Sequence, residues 1–225
     1  MKHTIALALA LGVFASGLAM AQATKSYSEP KGRFSISYPA KWPADLMSKP
    51  DSPTTEFVVG GADAECWFIG IDRAEWASAK PTDVRRTFSE KFTDQKLLEA
   101  FEGRMLSGAG KDTPAKVTAS SVETLNNWPV QFGEIQAGAD RLMVAIHTRP
   151  GFEARSFCKA YDGKDHNAEF KAVALSLTAA RDAEWEAQAQ EWEAKKAAAS
   201  AANAEAEKQK AEQEAKKAGK KPRKE

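Results

Sequence analysis

The chain is 225 residues long, with 32 Lys and Arg, 31 Asp and Glu, three His and two Cys, and 28% of it is charged. That composition is too apolar for a wholly disordered protein, too poor in cysteine for a disulfide-built miniprotein and too evenly charged for a dedicated nucleic-acid binder. It leaves room for one ordinary domain with further segments at its ends.

The first segment reads as an export address. Lys2 supplies a positive start, Thr4 to Ala15 form an apolar run too short to span a bilayer, and small residues follow. Two overlapping A-x-A sites, Ala19-Met20-Ala21 and Ala21-Gln22-Ala23, predict cleavage after Ala21 or after Ala23. No Cys follows directly, so no lipid anchor is expected; the alternative is an uncleaved N-terminal membrane anchor. Cleavage after Ala21 removes one Lys and no acid, which leaves the two signs balanced. Overall charge therefore selects no partner.

Residues 24–180 are long enough for one domain with a sizeable core. Phe34, Ile36 and Tyr38 alternate on one face of a strand that Pro39 ends, and Trp42-Pro43 reads as extended. Glu56 to Val59 and Glu65 to Ile71 form a hairpin about Gly60-Gly61-Ala62-Asp63. Helical spacing follows: Val84, Phe88 and Phe92 recur every four residues, and Leu97, Leu98, Phe101 and Met105 continue beyond Thr93. Thr93 is a candidate N-cap, so one broken helix or two short ones are expected over Thr82 to Met105.

Beyond a Gly-rich loop, strands are predicted at Val117 to Leu125, Val130 to Gln136, Arg141 to Thr148 and Ala154 to Tyr161. The links Asn126-Asn127, Gly138 to Asp140 and Arg149-Pro150-Gly151 are turn chemistry, too short for parallel crossovers. This part should be an antiparallel meander. Cys66 to Ile71 and Leu142 to Ile146 are apolar on both strand faces, so the sheet is covered on both sides. With Thr82 to Met105 for one face and the helix of Phe170, Val173, Ala174 and Leu177 for the other, the expected fold is α+β. It is a three-layer α/β/α sandwich with a mainly antiparallel sheet, followed by a long solvated C-terminal helix.

Residues 181–225 form that last segment. From Ala179 onward there is no Leu, Ile, Val, Met or Phe, and Ala, Glu, Lys and Gln dominate. Such a stretch builds no core of its own yet favours helix, helped by Glu191 with Lys195 and Glu212 with Lys216 at i,i+4. Asp182, Glu184, Glu186, Glu191 and Glu193 form an acidic block. Lys216, Lys217, Lys220, Lys221, Arg223 and Lys224 close the chain as a candidate anion-binding arm. Trp185 and Trp192, seven apart, share a helix face: either they dock on the protein's own domain or lie on its surface, or they bind a partner.

Gly32-Arg33-Phe34-Ser35-Ile36-Ser37-Tyr38-Pro39-Ala40-Lys41-Trp42 resembles the opening of Mog1/PsbP-like α/β/α domains, and the helix from Phe170 to Leu177 resembles that group's last element. The resemblance implies a noncatalytic binding module with no shared active site. The Ala/Glu/Lys tail departs from the pattern.

Cys66 and Cys158 fall in predicted strands of an exported domain, which predicts a structural disulfide; two buried free thiols are the alternative. Gly108-Ala109-Gly110-Lys111 fails as a phosphate loop, because Met105 stands where Gly is needed and Asp112 where Ser or Thr is needed. Only His147 and His166 remain after signal removal. His147 shares a strand face with Met143 and Ala145 and reads as a packed histidine, while Asp165 or Asn167 caps the helix that follows the cluster Asp162, Asp165 and His166. No cofactor or metal is implied, and no G-x-S-x-G elbow occurs. Two functional classes follow. One is an exported noncatalytic module that binds a protein, a small ligand or an envelope component, its tail acting as spacer or reaching an anionic surface. The other is a hydrolase-like enzyme with an unrecognised site. No specific nucleic acid and no membrane span after cleavage are expected.

Overall fold

The computed structural model describes residues 23–49, 52–101 and 114–218. The export segment up to Gln22, the stretch from Met105 to Asp112 and the chain end from Gly219 lie outside the described residues.

Strands β1 (Thr24–Ser28) and β2 (Phe34–Pro39) open the chain. A turn closed by the Trp42 N–H on the Pro39 carbonyl at 2.9 Å follows, so Trp42 sits in a bend and not in extended chain. Then come β3 (Ala44–Leu46), β4 (Thr54–Gly60) and β5 (Ala64–Asp72), the last two forming the expected hairpin. Two short helices, α1 (Pro81–Phe88) and α2 (Asp94–Phe101), precede the meander β6 (Ala115–Leu125), β7 (Trp128–Ala137), β8 (Asp140–Arg149) and β9 (Phe152–Ala160). Helix α3 (Asn167–Ala174), the two-residue strand β10 (Thr178–Ala179) and helix α4 (Asp182–Ala218) complete it.

Seven strands form one antiparallel sheet in the order β3-β4-β5-β9-β8-β7-β6, so the meander folds back until β9 pairs with β5. The β6–β7 turn places Asn126 and Asn127 at φ of 49° and 65°, the left-handed conformation that a two-residue hairpin turn needs and that Asn tolerates. Strand β2 does not join this sheet. It pairs with β1 and β10 in a separate three-stranded sheet.

Alternation along the strands creates two cores. Cys66, Phe68, Val130, Phe132, Met143, Ala145, Ala154 and Cys158 point to one face, where the small sheet, α1, α3 and the start of α4 cover them. Phe34 of the small sheet stacks on Phe152, ring centroids 5.9 Å apart. Ile69, Ile135, Leu142, Val144, Ile146 and Phe157 point to the other face, beneath α2.

The helical stretch beginning at Thr82 thus serves both faces instead of one: Val84 belongs to the first core, and Leu97, Ala100 and Phe101 to the second. Buried Gln131 holds the crossing. Its amide donates to the carbonyls of Phe88 (2.7 Å) and Glu90 (2.9 Å), and its oxygen accepts the Phe92 N–H (2.9 Å). Thr93 caps α2 as expected, accepting the Lys96 N–H at 3.3 Å. Gly133 lets α2 come close, because a Cβ there would stand 3.1 Å from Leu97.

Candidate functional site

The buried end of β8 carries the densest polar cluster. Ile146, His147, Thr148 and Arg149 are all buried, and Arg149 is fully enclosed. Its Nε donates to Asp182 Oδ1 at 2.8 Å and one terminal nitrogen to the Thr148 carbonyl at 3.2 Å. Its guanidinium lies 4.5 Å from the Trp128 ring centroid, and that of Arg85 lies 4.4 Å from the same ring. Burial weakens the hold of Arg149 on its proton, and Asp182 opposes that effect. The other oxygen of Asp182 accepts the Ala179 N–H at 3.0 Å. One carboxylate therefore ties β8, β10 and the first turn of α4 together.

Trp185, one turn further along α4, is 3% exposed and meets Trp128 edge-on at 5.8 Å and Phe152 at 6.2 Å. Arg85 reaches across from α1 to Glu186 at 2.6 Å. Of the alternatives open for Trp185, docking on the protein's own domain is the one observed and partner binding is not: its indole fills the first core and is inaccessible. Trp192 is 40% exposed, with Lys80 Nζ 3.5 Å from its ring centroid. A boundary at 180 also falls inside the packed structure, because Trp185 and Ala189 are core residues.

His147 faces the first core with Met143 and Ala145, as its strand position requires. It is wholly buried and neither ring nitrogen makes a hydrogen bond of normal geometry. Burial first, and the Arg149 charge second, push its pKa down to about 3, with the Ala174 backbone acting the other way. It is a neutral packing group that no substrate reaches.

His166 stands at the opposite end of the sheet, before α3. Its Nδ1 lies 3.0 Å from Glu169 Oε2 and its Nε2 lies 3.0 Å from Asp162 Oδ1. Two carboxylates need two N–H donors, so the ring is held as imidazolium; the Glu169 hydrogen bond, followed by that of Asp162, raises its pKa. His166 itself occupies the N-cap position without capping. Asp165, expected there, instead accepts the Asn167 N–H at 2.9 Å, and Asn167 is the first helical residue. A cleft of about 460 Å³ lies alongside, lined by Glu134, Asp140, Arg141, Asp165 and His166 among others.

Cys66 and Cys158 are directly opposite on β5 and β9 and form the expected disulfide, S–S 2.06 Å, 92 residues apart in sequence. Of the candidate anion-binding residues, Lys216 is exposed on α4 and Lys217 follows in the same helix, while Lys220, Lys221, Arg223 and Lys224 lie outside the described residues. No grouping of three or more His, Cys, Asp or Glu fit to hold a metal occurs among the described residues, and no described helix is long and apolar enough to cross a membrane. Arg149, Asp182 and Trp128 were not legible as a site. The one available signal was an arginine ending an apolar strand run, and the turn-forming Pro150-Gly151 after it masked that.

No family model and no curated protein matches the chain. Among solved structures it is similar to cyanobacterial PsbP (CyanoP) from Synechocystis sp. PCC 6803, with a TM-score of 0.45 and 16% identity over 75% of this chain and 98% of that one. It is also similar to a crystal structure from Bacteroides thetaiotaomicron VPI-5482, with a TM-score of 0.40 and 14% identity over 69% of this chain and 48% of that one. At these values the likeness concerns fold alone.

Proposed function

We propose that the chain is an exported, noncatalytic binding module in which the sandwich holds a rigid helical arm and presents it to an envelope partner. The observation that carries this reading is the anchored base of α4. The Arg149–Asp182 pair and the buried Trp185 fix the first turns to the core, whereas every described side chain from Gln190 to Lys216 is exposed. At 1.5 Å per residue, that exposed stretch reaches about 40 Å. Beyond Trp192, which meets Lys80 of the domain, the helix is polar all round and stabilised by its own i,i+4 pairs, such as Lys195 with Glu191 at 2.5 Å. Its use is reach. The basic residues from Lys216 to Lys224 place positive charge at the far end, suited to an anionic surface.

The two retained histidines support a noncatalytic reading, since His147 is sealed and both nitrogens of His166 are engaged. The disulfide is compatible with an oxidising compartment. Intact mass of the exported chain should begin at Gln22 or Thr24. The deciding experiment is cross-linking in the exporting cell with the full chain and with a chain ending at Lys195. Cross-linked species specific to the full chain are expected. Equal patterns from both remove the arm, and turnover that vanishes in a folded His166→Gln variant replaces this reading with the enzyme.

A further inference from the structure

Strand β6 ends the seven-stranded sheet, and among the described strands only β7 pairs with it. It is 11 residues long, and Lys116, Thr118, Ala119, Ser121 and Thr124 are exposed along it. The opposite margin of the sheet is the 3-residue β3. An exposed edge as long as β6 is a template for a further strand unless charge, proline or a bulge blunts it. β6 has a bulge at Thr118, whose hydroxyl donates to the Glu134 carbonyl at 3.3 Å. It has no proline, and its charges are Lys116 and Glu123, one of each sign.

The β6–β7 register fixes the faces on which those charges stand. Glu123, Ser121, Ala119 and Lys116 lie opposite Val130, Phe132, Glu134 and Gln136, on the side of the first core. Val122, Ser120 and Val117 lie opposite Gln131, Gly133 and Ile135, on the side of α2. Two copies of one strand that pair antiparallel about a two-fold axis bring residues of the same face opposite each other, which leaves few registers. With Ser120 on the axis, Ala119 meets Ser121, Val117 meets Val122 and Lys116 meets Glu123, each contact occurring twice, and Thr118 is the extra residue in both copies. An axis at Ala119 sets Lys116 against Ser121, and an axis at Ser121 sets it against Leu125. Of the three, the register centred on Ser120 alone matches both the charges and the valines.

Both charged groups are ready for that contact. Lys116 is exposed and has no ion-pair partner among the described residues. Lys171 Nζ holds Glu123 Oε1 at 2.6 Å, which keeps the carboxylate on the first-core side and leaves its other oxygen to accept.

We infer that two copies of the chain join β6 to β6 in this register, continuing the sheet across a two-fold axis. The axis is perpendicular to the sheet and preserves its faces, so the anchored bases of both α4 helices lie on the same side of the joined sheet. A single strand edge is at the low end of interface size, so the dimer is weak and reversible.

Sedimentation velocity on the full, disulfide-bonded chain from about 10 μM to about 1 mM, the range in which weak contacts are read, should show a monomer–dimer equilibrium. Amide signals from Ala119 to Thr124 in the ¹⁵N–¹H spectrum should shift with concentration. Lys116→Glu and Glu123→Lys should each weaken self-association about tenfold or more, since like charges then oppose each other twice. Mixing these two variants one to one should restore association, because their reversed charges complement each other across the axis. Near-ultraviolet dichroism verifies that each variant is folded. A chain ending at Lys195 should associate as the full chain does, which separates this edge from the arm. A chain that stays monomeric throughout, association unaltered in both charge variants, or a mixture that restores nothing overturns the assignment. Association lost on truncation also overturns it and moves the contact to α4.

Discussion

Arg149 at the end of β8 and Asp182 at the start of α4 meet at 2.8 Å across 33 residues of sequence, with the guanidinium wholly buried against the Trp128 ring. Taking both charges out of water costs several kcal/mol each, and only mutual attraction together with further hydrogen bonds offsets that. The pair therefore matters more when broken than when present. Asp182→Ala, which strands a buried cation and also frees the Ala179 N–H, should lower the unfolding free energy by about 3–5 kcal/mol. Adding Arg149→Met to it should restore part of the loss. Urea unfolding of the wild type, both singles and the double measures this; a loss under about 1 kcal/mol for Asp182→Ala shows that the junction is held by Trp185 alone.

The disulfide links β5 to β9, the seam where the meander returns to the hairpin. Its loop of 92 residues predicts a contribution of about 4–5 kcal/mol from restriction of the unfolded chain, less whatever the oxidised native state loses. Wild type in reductant and the Cys66→Ala/Cys158→Ala double variant should unfold at the same, lower urea concentration. Unfolding of the wild type that is insensitive to reductant contradicts the prediction.

Acid should destabilise the domain through His147. Its pKa is about 3 when folded against 6.5 for a free imidazole, so between those values the unfolded chain binds a proton that the folded chain does not. Stability from this group is complete above pH 6.5 and is lost as pH falls toward 3, with a slope of at most about 1.4 kcal/mol per pH unit. His166 works in the opposite sense: with its pKa raised by Glu169, its contribution is present below 6.5 and lost as pH rises through the folded value. His147→Leu should flatten the acid limb of a stability–pH curve while leaving the neutral limb unchanged. An unaltered acid limb places the acid sensitivity elsewhere.

Removing residues 196–225 should change stability by less than about 0.5 kcal/mol, because the described side chains lost are exposed. Trp185→Ala, in contrast, should cost about 3–5 kcal/mol through the void left between Trp128 and Phe152. On vesicles rich in anionic lipid the full chain should bind at low salt, each basic residue near the surface contributing about 1 kcal/mol. Binding should fall steeply once screening shortens to about 10 Å near 0.1 M salt. Equal, salt-insensitive binding by the truncated chain removes the anionic-surface role.

Periodicity and turn chemistry were sufficient for the local elements. The alternation in Phe34 to Tyr38, the paired Asn at the β6–β7 turn, the break at Thr93 and the two-sided apolar runs of β5 and β8 each have a cause within a few residues. Coverage of the sheet on both faces followed from the same runs, and the meander from links too short to cross over. These are short-range constraints, and sequence carries them directly.

Assignments across long separations were a different matter. That β2 leaves the main sheet for one with β1 and β10, that α1 and α2 lie on opposite faces, and that Arg149 is enclosed instead of turning into solvent all depend on what arrives from elsewhere. Gln131 supplies the three hydrogen bonds that carry the chain from one face to the other, and Asp182 supplies the charge that lets Arg149 stay buried. The tail shows the division within one helix. Its lack of aliphatic residues correctly marked an element with no core of its own, yet the fate of Trp185 rested on a gap between Trp128 and Phe152 that exists only once β7, β9 and α4 are assembled. Helical spacing put Trp185 and Trp192 on one face; the limited reach of the domain surface decided that the first is core and the second is exposed.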